Sequence, residues 1–278
     1  MERGGLRRLT SAGDVEQLTR NIWLHRVDAE GFPTVGAVVF TQQRAFVIDT
    51  LTQPADMEPA RALLCEGGFS RRLAVINTHH HWDHVYGNAA FAGEDIVGHH
   101  SCPGLLAAQL AGDGPPTPAA PIAGVPPPCL TFDARLTYAD GAEVVRLVHA
   151  PGHSEDSIIL FLSGARILFA GDALEWPFPS MGRDSRAGLW LCSMAMLREL
   201  DAGLIVPSHG PAMGIELLDA NERYLTGVVT AVSAAKRAGA RPGDLDLPAT
   251  QFVAPEVEIS RLSHEVHAAN IVRVWQDV

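Results

Sequence analysis

Between positions 79 and 84 the chain reads His-His-His-Trp-Asp-His. Imidazole is the commonest protein ligand for a metal ion, and carboxylate joins it for borderline cations such as zinc. The run directly follows the apolar, β-branched segment Leu73 to Ile76, which reads as a strand. Residues two apart in an extended segment point the same way, so His79 and His81 share a face. Asp83 and His84 follow where the chain can turn into a helix and aim at a second point. One short loop can therefore supply two adjacent cations. Without metal or partners, a buried cluster this rich in histidine would carry a heavy desolvation cost. His80 is the member of the run not assigned to metal.

Three further candidates occupy matching positions. His153 lies in Ala150-Pro151-Gly152-His153-Ser154, just after the strand-like Val144 to Val148. Asp172 lies in Ala170-Gly171-Asp172-Ala173 behind Ile167 to Phe169, and His209 in Pro207-Ser208-His209-Gly210 behind Leu204 to Val206. Singly, each could be a histidine at a glycine turn or an aspartate capping one. Together with the first run they suggest ligands gathered at the carboxyl ends of strands, where α/β sheets bind them.

The motif His79-x-His81-x-Asp83-His84, followed in order by Gly152-His153, Gly171-Asp172 and Ser208-His209-Gly210, resembles that of the metallo-β-lactamase-fold superfamily. The stretch Thr78 to His84 with Gly87-Asn88 is especially similar to glyoxalase II and its relatives. The likeness covers roughly residues 20 to 215. It implies a four-layer αββα sandwich, an α/β fold, with the site at one edge. It implies one metal on His79, His81 and His153, a second on Asp83, His84 and His209, and Asp172 bridging them. Asp49, at the end of Ala45 to Ile48, matches the family's strand-end aspartate and would orient the ligands. Two Zn2+ are the default for such a donor set, with Mn2+ or Fe2+ compatible.

Two cations roughly 3.5–4 Å apart can hold a bridging hydroxide and polarise a carbonyl, so no protein nucleophile is required. Asp83 would then be the catalytic residue, as ligand and as orienter of the hydroxide. The expected reaction is hydrolysis of an ester, thioester, lactone or β-lactam. Two other readings stay open: a glutathione-thioester hydrolase, and an oxidoreductase resembling the persulfide dioxygenases, which use one iron on two histidines and an aspartate. No obvious Lys-Arg cluster for glutathione stands in the C-terminal helices. A relative without catalysis is a further option that the complete ligand set argues against.

Substrate residues are sought in Glu175 to Leu191, since loops at strand ends carry specificity. Trp176, Phe178, Arg183, Arg186 and Trp190 would suit an apolar group bearing an anion. Ser233-Ala234-Ala235-Lys236 fits S-x-x-K but lies in a helical pattern and reads as helix surface. His99 stands at a strand end, where it could approach the substrate, and His264 and His267 sit three apart on the last helix, where they could share a ligand; packing or ligand support is the expected role of the first, and packing or helix capping that of the other two.

These residues need a frame. The chain has 278 residues, 47% of them hydrophobic, enough for a substantial core. Strand-like segments recur at Ala37–Phe40, Ala45–Ile48, Leu73–Ile76, Val144–Val148, Ile158–Leu162, Ile167–Ala170 and Leu204–Val206. Helical spacing marks Pro54–Glu66, Leu189–Leu200, Ile215–Ala238 and Ser260–Trp275. The expected organisation is a core over residues 1–212 with a helical extension over 213–278 packed on it. Gly112 to Cys129 is rich in proline and reads as a long loop, a candidate lid. The net charge is −11, with Lys236 the sole lysine. That disfavours nucleic acid and anionic membranes, leaving a small-molecule substrate as the expected partner. Cys65, Cys102, Cys129 and Cys192 form no C-x-x-C pair and read as reduced packing residues. No apolar run is long enough for a membrane helix and no signal peptide is apparent, so a cytoplasmic protein is expected. The oligomeric state is not legible, a homodimer being one option.

Overall fold

The computed structural model describes residues 6–10, 13–29, 32–66, 72–113 and 122–278. Its first sheet runs through β1 (Leu6–Thr10), β2 (Gly13–Thr19), β3 (Ile22–Ala29), β4 (Phe32–Phe40) and β5 (Arg44–Ile48). The helix α1 (Glu58–Glu66) leads to β6 (Arg72–Ile76), α2 (Trp82–Val85), β7 (Asp95–His99), α3 (Cys102–Leu110) and β8 (Leu130–Phe132). Strands β1 to β8 lie side by side in chain order, antiparallel as far as β5 and parallel from β5 to β8.

The second sheet is formed by β9 (Arg135–Asp140), β10 (Glu143–His149), β11 (Ile158–Leu162), β12 (Ile167–Gly171) and β13 (Leu204–Pro207), in the order β13-β12-β11-β10-β9. Only β12 and β13 pair in parallel, joined by α4 (Ala187–Arg198). The helices α5 (Glu216–Arg237) and α6 (Arg261–Asp277) follow.

Side chains alternate across a strand, and that alternation builds the layers. On β5, Phe46 and Ile48 enter the core between the sheets, while Ala45 and Val47 face outward with Leu63 and Leu64 of α1. On β11, Ile158, Leu160 and Leu162 face the same central core. Ile159 and Phe161 face outward against Trp190 of α4, Leu225 of α5 and Val274 of α6. The result is helix, sheet, sheet, helix, the expected four-layer sandwich. The C-terminal helices share one apolar cluster with the outer face of the second sheet.

Several expectations need correction. The first sheet begins well before Ala37: β2 and β3 are not legible as strands, because half-buried Glu16 and exposed Arg26 and Asp28 interrupt their apolar residues. The cysteines are free, but only Cys102 is buried, the other three being exposed. The middle of the proline-rich segment, residues 114–121, lies outside the described residues. His99 stacks on His149 at 3.9 Å between ring centroids, and His267 is held between the Tyr224 hydroxyl and the Leu247 carbonyl, so both pack as expected. Among the described residues no helix is long and apolar enough to cross a membrane.

Candidate metal centre

One end of the sandwich collects the carboxyl ends of β5, β6, β10, β12 and β13, where Asp49, His79 to His84, His153, Asp172 and His209 stand. The two sheets are tied together there. The backbone N–H of Ile158 donates to Thr78 O at 2.8 Å, and that of Val35 to Ser208 O at 2.8 Å. After β6 the chain bends through Thr78 to His80, is extended at His81, and then forms the single turn α2, which turns Asp83 and His84 inward. Gly152 is required before His153. Its φ is +153°, and a Cβ there would lie 2.4 Å from the Trp190 Cα.

Asp172 is the centre of the cluster. Its Oδ2 lies 3.7 Å from His79 Nε2, 3.4 Å from His84 Nε2, 3.4 Å from His153 Nε2 and 3.3 Å from His209 Nε2. Asp83 Oδ2 is 3.5 Å from His84 Nε2 and 3.4 Å from His209 Nε2. Three groups have ligand atoms within 4.8 Å of one another: His79, His81, His153 and Asp172; Asp83, His84 and His209; and, to one side, His80, His81 and Asp184. The first two bring together the residues that the resemblance grouped, and Asp172 Oδ2 also lies 3.4 Å from His84 Nε2 and 3.3 Å from His209 Nε2.

Each imidazole has an outer partner that fixes which nitrogen faces inward. His84 donates Nδ1–H to Asp49 Oδ2 at 2.8 Å, and His209 donates Nδ1–H to Pro33 O at 2.9 Å. His153 donates Nδ1–H to Ser180 O at 3.2 Å, and His81 donates Nε2–H to Asp184 Oδ2 at 3.2 Å. His79 Nδ1 lies 3.1 Å from the Thr78 hydroxyl, which donates its own proton to Asp49. With those protons outside, five lone pairs face the middle. His81 Nδ1 and His153 Nε2 then meet at 2.9 Å, so a shared proton or a metal ion must reconcile the two nitrogens. Nε2 of His79 and of His84 and Oδ1 of Asp172 are buried without hydrogen-bond partners, a mark of a site built for metal. The donor set of imidazole and carboxylate suits Zn2+ and tolerates Mn2+ or Fe2+.

The charges are strongly coupled. Burial alone would raise the Asp172 carboxyl, but the imidazoles of His209, His84 and His153 outweigh it and hold it well below the usual carboxylate range. Burial, then the neighbouring His84 and His81, holds the His79 ring well below 6.5. Asp49 sits in the left-handed region at φ +56°, a strained conformation that its bonds to Thr78 and His84 offset.

His80 turns away from the centre, with Nδ1 2.9 Å from Asp156 Oδ1. Trp176 and Phe178 line an open cavity of about 350 Å³ that reaches His209 and is also lined by Pro33, Leu262 and Val266. The other three substrate candidates do not line it. Trp190 is fully buried beneath His153, its indole N–H bonded to Ala173 O, and Arg186 folds onto the carbonyl of Ser185. Arg183 is exposed. Residues that local spacing did not reveal are Thr34, whose hydroxyl donates to Asp83 Oδ2 at 3.1 Å, Glu175, Ser180 and Asp184. Burial and the charge of Asp172 push the Glu175 carboxyl up to about 8.

A family model described as the metallo-beta-lactamase superfamily matches residues 29–209. The chain belongs to that superfamily. It is 29% identical to the hydroxyacylglutathione hydrolase of Anaeromyxobacter dehalogenans over 215 residues, 74% of this chain and 75% of that protein. It is 26% identical to the metallo-beta-lactamase type 2 of Bacillus sp. (strain 170), over 72% of this chain and 77% of that one. For the hydroxyacylglutathione hydrolase of Gloeobacter violaceus the match is 28% over 124 residues, and the chain spans only 43% of that relative's length. Among solved structures, a metallo-beta-lactamase from Pontibacter korlensis superposes with a TM-score of 0.60 at 22% identity, over 80% of this chain and 99% of that one, a likeness of fold.

Proposed function

We propose that this protein is a dinuclear metal-dependent hydrolase that opens a carbonyl substrate: an ester, thioester, lactone or β-lactam. The observation that carries the reading is Asp172 Oδ2, set between two complete ligand groups. When bound, two divalent cations polarise the carbonyl and bring water's pKa toward about 7. The chain's own groups do the positioning. Imidazole neighbours hold the Asp83 carboxyl low despite its burial, so near neutral pH it stays ionised and orients rather than takes a proton. Thr34 fixes that carboxylate from behind. The cavity beside His209 gives an apolar part of the substrate a place to lie, its volume within the roughly 300–1,000 Å³ of small-molecule sites.

The named relatives put glutathione thioesters on the test panel. Yet the arginines expected to meet an anion, Arg183 and Arg186, are not among the residues lining the cavity. The deciding experiment is metal content by mass spectrometry together with turnover of lactones, thioesters, esters and β-lactams. Two metal equivalents and a hydrolysis lost to a chelator and restored by Zn2+ are expected. One iron, with oxygen consumed on a persulfide, would overturn the proposal in favour of the oxidoreductase.

A further inference from the structure

Two of the three histidines in the first ligand group take their orientation from the same loop, residues 179–187. His153 donates to Ser180 O at 3.2 Å, and His81 donates to Asp184 Oδ2 at 3.2 Å. The loop also returns to the cluster directly, because the Ser185 hydroxyl donates to His153 O at 2.6 Å.

Residues 179–186 have no regular structure of their own, and Ala187 opens α4. The loop is held by α6. Asn270 accepts from Met181 N–H at 2.8 Å and donates to Pro179 O at 2.7 Å. Arg273 donates through Nε and Nη2 to Ser185 O at 2.9 and 2.8 Å, and Asp277 accepts from Ala187 N–H at 2.8 Å. Asn270, Arg273 and Asp277 are spaced i, i+3, i+7, so they form one stripe of the helix. The second ligand group is held from elsewhere: Asp83 by Thr34, His84 by Asp49 and His209 by Pro33 O, all on β4 or at the end of β5.

We propose that the C-terminal helix α6 is the outer support of one metal position only: Asn270, Arg273 and Asp277 clamp the 179–187 loop so that Asp184 and Ser180 aim His81 and His153. Asp184 and Arg273 are thus positioning residues, remote in sequence from every ligand they serve. The inference rests on the dinuclear reading.

It is tested by metal titration of the apoprotein against a competing chelator, using Co2+ for its ligand-field spectrum and Zn2+ for affinity. Asp184→Asn keeps an acceptor oxygen and Asp184→Ala removes it; Arg273→Met releases the loop while keeping bulk. Loss of such outer partners typically weakens binding about 10–100-fold. That loss is expected for one equivalent in Asp184→Ala, with the other equivalent unchanged. Asp184→Asn should lie between Asp184→Ala and the natural protein, and Arg273→Met should shift the same equivalent. Circular dichroism of each apoprotein separates this from failure to fold, and the asparagine variant supplies the result if the alanine variant does not fold.

Equal weakening of both equivalents, or none in any variant, would overturn the proposal. So would a third equivalent in the natural protein that disappears with Asp184, since His80, His81 and Asp184 would then form an ion site themselves. If the natural protein bound no metal, the functional reading would fall first, and the two failures are therefore distinguishable.

Discussion

His84 and His81 make the same kind of bond and are supported in opposite ways. Each turns one nitrogen to the centre and gives the other's proton to an aspartate, at 2.8 Å to Asp49 and 3.2 Å to Asp184. Asp49 ends a central strand, is wholly buried, and also accepts from both the backbone N–H and the hydroxyl of Thr78. Asp184 sits on a loop with its side chain 22% exposed, and that loop depends on a helix near the chain's end. The sheet-borne support reaches both ligand groups, through His84 directly and through Thr78 to His79. The loop-borne support reaches one. A fold of this kind can keep its ligand motif fixed while the later loop and helix adjust a single metal position.

The largest effect should ignore that distinction. Asp172→Ala removes the one oxygen near all four Nε2 atoms, so both equivalents of metal should weaken together. Activity should fall on the order of 10³-fold, the several kcal/mol of charge stabilisation that bound metal supplies. Mass spectrometry and steady-state turnover check it together. Turnover surviving unaltered would dismiss the bridge.

The sheet side has its own weak point, which acid should expose. His25 on β3 is buried against Gly36, with neither ring nitrogen hydrogen-bonded, and burial lowers its pKa to about 4. Its folded value lies below the unfolded one, so the unfolded chain binds the extra proton first. Stability is therefore expected to be lost as pH falls from about 6.5 to about 4, by at most roughly 3 kcal/mol from this group. His25→Leu should flatten that part of a denaturation-against-pH curve. An unchanged slope would assign the acid sensitivity to other groups.

Asp49→Asn sharpens the comparison itself. The lost carboxylate weakens the hold on His84 and on the Thr78–His79 pair, so both equivalents should lose about 10–100-fold in affinity. The loop-side variants should shift one. If chelator competition showed Asp49→Asn also confined to a single equivalent, the shared role of the sheet would be wrong.

This asymmetry also explains what the sequence made legible. Four of the candidate ligands follow β6 and the other three each follow a strand of their own, so apolar run plus histidine or aspartate picked out all seven candidates, while their grouping and the four layers came from the resemblance. Asp184 lies 103 positions from His81, and Arg273 88 from Ser185, so no local pattern could join them. Trp190 was misleading for a related reason. An aromatic in a loop-to-helix segment suggests a pocket wall, but here it fills the space that Gly152 leaves open. Half-buried Glu16 on β2 and exposed Arg26 and Asp28 on β3 blur the alternation of those strands.

The smallest effect separates two tasks of α6. Leu262, Val266, Asn270, Arg273 and Asp277 follow one another at three- or four-residue steps and lie on one side of the helix. The first two face the cavity beside His209, and the last three grip the 179–187 loop. Leu262 is 40% exposed there, so an apolar group lying in the cavity would cover it. Leu262→Ala should therefore reduce kcat/KM for substrates with long apolar chains by a few-fold, since each buried methylene is worth about 0.8 kcal/mol. Short-chain substrates and the affinity of both metals should be unaffected. A chain-length series of esters or thioesters measures the first, and chelator competition the second. A metal shift in Leu262→Ala would mean that the helix acts as one rigid lever. Its absence, beside a shift in Arg273→Met, would divide substrate choice and metal support between the two ends of a single helix.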